Sequence, residues 1–164
     1  MDFNENGLLQ AGFHDCAFSD FWATFVDGFL TSQTRRTIAA AILDFSEELF
    51  SLAVPDEFWI DGSYATSKVN PNDADIVVFP QCNDYVNYRN EFGVFRQKYS
   101  HTLDLYFAPA VCPESKRLLS PADYNDVVNT RNYWRGQFGY DREDRPKGII
   151  RVSCESIEEY LRRR

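Results

Sequence analysis

FWIDGSYATSKVNPNDADIVV, residues Phe58 to Val78, is the stretch whose reading decides the fold. Trp59, Ile60 and Asp61 read as the end of a strand, Gly62-Ser63 as a tight turn, and Asp73 to Phe79 as a second strand. Side chains alternate across a strand, so Asp73 and Asp75 share one face while Ala74 and Ile76 take the other. Like charges held this close repel and lose hydration, so a fold that keeps them supplies a metal ion, a cationic partner or a proton. The plain alternative is that Asp73 ends a turn and Asp75 lies on the surface of an edge strand.

A third acid comes in TLDLYFA, Thr102 to Ala108, where Leu103, Leu105 and Phe107 alternate with Thr102, Asp104 and Tyr106. This places Asp104 in mid-strand. If that strand lies beside the Asp73/Asp75 strand, the three carboxylates converge on one sheet surface below the Gly62-Ser63 turn. Such a turn presents backbone N–H groups and a hydroxyl to a phosphate. From Tyr64 to Lys68 one or two helical turns are expected, their N-terminus aimed at bound phosphate. Asn70-Pro71-Asn72 is turn chemistry. Lys68 reads either as a triphosphate ligand or as a solvated lysine. Phosphate above and magnesium below is the apparatus of phosphoryl or nucleotidyl transfer.

A strand, Gly62-Ser63, the intervening Tyr64 to Asn72, Asp73-x-Asp75 and a later strand carrying Asp104 together resemble the nucleotidyltransferase superfamily of DNA polymerase beta type. Within it the chain is most similar to minimal bacterial nucleotidyltransferase-like proteins, an uncharacterised group, some found in toxin–antitoxin or phage-defence loci. YWRGQFGYDREDRPKGII, Tyr133 to Ile150, extends the resemblance weakly beyond Val54 to Ala108. The resemblance implies an α/β (α+β) domain with a mixed sheet flanked by helices. It implies a metal-dependent enzyme that moves a nucleoside monophosphate, as from ATP, to a hydroxyl acceptor: a protein, tRNA or small molecule. Asp73, Asp75 and Asp104 would be catalytic and bind Mg2+, or Mn2+ in its place, and Gly62, Ser63 and Lys68 would bind the nucleotide. The rival reading is a non-catalytic nucleotide- or partner-binding module on the same fold. A cognate antitoxin or a second copy of the chain is the implied protein partner.

The chain has 164 residues, 44% of them hydrophobic, enough for one domain with a real core. Within that domain, residues 1–20 read as an N-terminal arm, 54–108 as the motif-bearing core and 121–164 as a C-terminal helix, loop and strand. A net charge of −8 argues against a broad electrostatic grip on nucleic acid but leaves room for one nucleotide. Cys16, Cys82, Cys112 and Cys154 lack metal-ligand spacing, which makes structural zinc an unfavourable reading. With neither a signal-like start nor a membrane-length apolar run, the expected setting is the cytoplasm, with free thiols.

The remaining segments fill in around that core. Met1 to Asp20 lacks periodicity and reads as an arm, with His14 either a lid residue or a surface or capping histidine. Ser19-Asp20 is a cap signal for a helix carrying Phe21, Phe25, Phe29 and Leu30. Thr31 to Leu52 reads as an amphipathic helix, on which Arg35 and Arg36 are solvated charges or phosphate contacts. Tyr85, Tyr88, Phe92 and Phe95 suggest a helix in the crossover between the two acidic strands. Ser120-Pro121 signals a helix to about Trp134. Gly136, Gly139 and Asp141 to Gly148 read as a loop, with Arg135, Arg142, Arg145 and Lys147 as solvated charges or phosphate contacts. Gly148 to Ser153 reads as a strand and Glu155 to Leu161 as a terminal helix.

Overall fold

A computed structural model describes residues 1–164. Five strands form one mixed sheet in the order β1-β5-β2-β3-β4: β1 (Gly12–Cys16), β2 (Glu57–Asp61), β3 (Ala74–Phe79), β4 (Leu103–Phe107) and β5 (Gly148–Val152). β2 is antiparallel to both β3 and β5, whereas β3–β4 and β1–β5 are parallel. The β3–β4 crossover contains α3 (Cys82–Asn87) and α4 (Arg89–Tyr99), as a parallel connection requires.

The two faces of the sheet are covered unequally. α1 (Phe18–Trp22), the π-helical turn Ala23–Asp27, α2 (Arg35–Phe50), α4 and α7 (Cys154–Arg163) bury the main core on one face. The other face carries a smaller cluster in which Trp59, Val77, Phe79 and Ile149 meet Phe138. This cover comes from α6 (Pro121–Phe138), whose Val127, Arg131, Trp134 and Phe138 recur at helical spacing. Arg131 pairs with Glu57 at 2.9 Å and lies over Trp59, while Trp134 packs on Tyr106 with ring centroids 4.5 Å apart. Ser120 caps α6 by accepting the Asp123 N–H, with Pro121 at the first position, as its sequence predicts.

Several elements depart from expectation. The N-terminal arm contains β1, an edge strand held parallel to β5, and bridges join Phe3 to Leu9 and Leu8 to Thr66. α1 starts at Phe18 rather than at a Ser19-Asp20 cap, because the Phe18 N–H donates to Ser156 Oγ of α7 at 2.9 Å. α5 (Pro113–Leu118), capped by Cys112 and Ser115, had no strong signal. Gly136 lies inside α6, where it faces open space and the helix runs on to Phe138.

Tyr64 to Lys68 forms no α-helix; a single 3₁₀ turn (Gly62–Ala65) replaces it. Arg35 supplies the reason. Fully buried, its guanidinium donates to the carbonyls of Phe25 (3.2 Å), Tyr64 (2.9 Å), Thr66 (2.6 Å) and Lys68 (2.7 Å). Carbonyls that a helix would have used as acceptors are thus claimed by one side chain. Arg35 also sits over the Phe29 ring, 3.7 Å from its centroid. It is therefore neither a solvated charge nor a phosphate contact, and Arg36 is exposed and paired with Asp27.

Replacing Arg35 by lysine keeps a charge but loses the planar fork, stranding buried carbonyls. Arg35→Lys is expected to destabilise the chain by more than about 3 kcal/mol in urea unfolding, a loss of two or more charged hydrogen bonds.

Candidate functional site

Pairing register builds the site. Asp61 of β2 lies opposite Asp75 of β3, and Asp75 lies opposite Asp104 of β4. Residues paired across neighbouring strands project from the same face, so these carboxylates form a row across the sheet. The next row on that face is Trp59, Val77 and Tyr106, which α6 covers. The helix ends at Phe138 and leaves the acidic row open. From there the chain arches through residues 139–147 and returns to the sheet as β5, enclosing a cleft of about 950 Å³.

Asp61, Gly62, Ser63, Lys68, Asp73, Asp75, Arg142 and Lys147 all line this cleft. Asp104 stands exposed at its rim, in an adjoining depression with Arg96 and Gln97, and Tyr106 lines both hollows. Asp73, Asp75 and the Gly-Ser turn thus share the cleft, while Asp104 joins them only through its pairing with Asp75. Gly62 has φ of +75°, and a Cβ there would fall on Asp75 Oδ2. The turn and the central carboxylate therefore touch, and only glycine permits the approach.

Burial raises the Asp75 carboxyl above its ordinary range, and the charges of Asp73 and Asp104 push it further; Lys147 and Arg142 oppose them. Asp61, which its sequence marks only as a strand end, is 3% exposed and receives a hydrogen bond from Lys147 Nζ at 2.7 Å. Its second oxygen, Oδ1, is buried without a hydrogen-bond partner. Burial outweighs the attraction of Lys147 and pushes Asp61 up to about 7.

Other basic residues sort clearly. Lys147 is 7% exposed rather than solvated, and Arg142 reaches the cleft. Arg135 lies over Phe13, and Arg145 is engaged by Asp141 and Glu143. His14 belongs to β1, with Nε2 2.6 Å from the Gln10 carbonyl, and is no lid residue.

An all-oxygen donor set suits a hard cation such as Mg2+. No three His, Cys, Asp or Glu side chains are gathered tightly enough to hold an ion by themselves. Mg2+, however, commonly takes only one or two carboxylates and fills its other positions with water and substrate phosphate.

Gly62→Ala should cost about 1–2 kcal/mol of stability through its left-handed backbone and should displace the Asp75 carboxylate, which crystallography of the variant will show. Asp61 binds its proton more tightly folded than unfolded. Its contribution to stability is therefore present below about pH 4 and lost as pH rises through about 7. Thermal melts of ion-free protein should show this decline, and Asp61→Asn should flatten it.

No helix is long and apolar enough to cross a membrane. Neither the curated proteins nor the solved structures include a match to the chain. Residues 1–153 match DUF6932, a family of unknown function, and the chain belongs to that family.

Proposed function

We propose that the cleft carries out metal-dependent nucleotidyl transfer. The observation that carries this reading is the in-register row of carboxylates beside a turn whose glycine lies against the central one. Gly62 and Ser63 hold the β- and γ-phosphates, while Lys68 and Arg142 add positive charge from the walls. Asp73 and Asp75, with Asp104 at the rim, hold Mg2+ or Mn2+. The bound ion supplies charge stabilisation at the transferring phosphorus and acidifies the acceptor.

An acceptor hydroxyl gives its proton to Asp104 as its oxygen bonds to the α-phosphorus. The bond between that phosphorus and the α,β-bridging oxygen breaks, and pyrophosphate leaves in line. The acceptor belongs to a protein, a tRNA or a small molecule, and it enters where Asp104 is exposed. A toxin–antitoxin or phage-defence setting would supply a protein acceptor or a cognate antitoxin.

One observation favours the alternative, a nucleotide-binding module without turnover: the acids are not gathered into an ion-binding group. Incubation with labelled nucleoside triphosphates, Mg2+ or Mn2+, and total protein or tRNA separates the two. Transfer predicts pyrophosphate release and a labelled acceptor, with Asp75→Asn lowering both at least ~100-fold while circular dichroism is unchanged. Nucleotide binding without pyrophosphate release would establish the alternative.

A further inference from the structure

Lys147 is a cation built into the acidic row. Its stem is buried, its ammonium lies 2.7 Å from Asp61 Oδ2, and its charge is felt at Asp75. Asp61 and Asp75 are directly paired across β2 and β3, and opposed side chains on neighbouring strands begin only ~5 Å apart at Cβ. Two-ion sites that clamp a transferred phosphoryl group hold their cations about 3.5–4 Å apart. An ammonium held on Asp61 therefore brings, at this end of the row, part of the positive charge that one of two such ions would bring. Asp61 gives Oδ2 to this ammonium and keeps Oδ1 buried without a hydrogen-bond partner, so removing the ammonium leaves a buried carboxylate with neither oxygen paired to a side chain.

We infer that Lys147, anchored by Asp61, is the resident cation of the site and takes the electrostatic place of one divalent ion, so that a nucleoside triphosphate is loaded with a single divalent ion. This rests on the proposed function and specifies its ion requirement. Lys147 is a fixed counter-charge for the polyphosphate, and the lone exchangeable ion belongs to the side of the row bearing Asp73, Asp75 and Asp104. A lysine charge, unlike a second metal ion, neither dissociates nor depends on the free concentration of divalent ions.

Native mass spectrometry of the full chain with Mn2+ and an ATP analogue non-hydrolysable between its α- and β-phosphates counts the ions in each complex. The expected counts are one Mn2+ for the wild type, two for Lys147→Met, where Asp61 is freed to ligate, and one for Asp61→Asn/Lys147→Met, where both members of the pair are gone. Two ions in the wild type, or one in folded Lys147→Met, would overturn the inference while leaving nucleotidyl transfer intact. If circular dichroism shows Lys147→Met unfolded, the wild-type count decides: one ion supports the inference and two overturn it. Absence of any nucleotide complex across the Mn2+ titration would overturn the proposed function, and this inference with it.

Discussion

Carboxylates in register on adjacent strands repel one another, and burying the first of them removes the water that would screen the repulsion. Asp61, Asp75 and Asp104 impose this cost from the central strand β2 out to the β4 edge of the sheet. The fold offsets it from a distant part of the chain, because Lys147 enters just before β5 and β5 pairs with β2. That contact ties the C-terminal arch to the floor of the cleft. A buried ion pair is weak grounds for stability, since desolvation consumes much of the attraction. Its better-founded role here is to set where the charges stand.

Two further constraints keep the row accessible. Arg35 draws the carbonyls of Tyr64, Thr66 and Lys68 onto one guanidinium, holding the segment after Gly62 in a non-helical path. Gly62, without a Cβ, lets the turn lie against Asp75. Had the segment become a helix, Thr66 and Lys68 would not line the cleft in their present arrangement. The same residues thus answer to backbone hydrogen bonding on one side and to the cleft on the other.

The fold class and much of the candidate site were legible because they rest on short-range patterns. Period-two alternation placed Asp75 and Asp104 within their strands, but β3 begins at Ala74 and leaves the expected strand residue Asp73 just before it, and Ser120-Pro121 marked α6. What escaped depends on contacts between distant segments. Asp61 looked like a strand end because nothing local states that it will pair opposite Asp75. Lys147, in a charged run, looked solvated because its burial comes from an arch closing over the sheet. Arg35 sits at the first turn of an amphipathic helix, where the usual arginine is exposed, and its acceptors lie ten to thirty-three residues away. β1, a partly exposed edge strand, has no clean alternation and exists because β5 offers it a partner.

Charge distribution carries the last step. The chain is strongly acidic, so a long polyanion approaching it meets repulsion over roughly a Debye length, about 8 Å at physiological salt. Under the proposed function a nucleoside triphosphate partly neutralised by a divalent ion meets much less, and Lys68, Arg142 and Lys147 line the cleft that also holds the Gly62-Ser63 turn. Asp104, by contrast, is exposed on the sheet's outer strand and lines the adjoining depression with Arg96 rather than the cleft itself. Under the proposed function the substrates are ordered along the row, with the polyphosphate in the cleft beside the turn and the acceptor hydroxyl at the exposed Asp104 rim. The order follows from the strand sequence itself: β2 brings the turn, β3 the central carboxylate and β4 the rim.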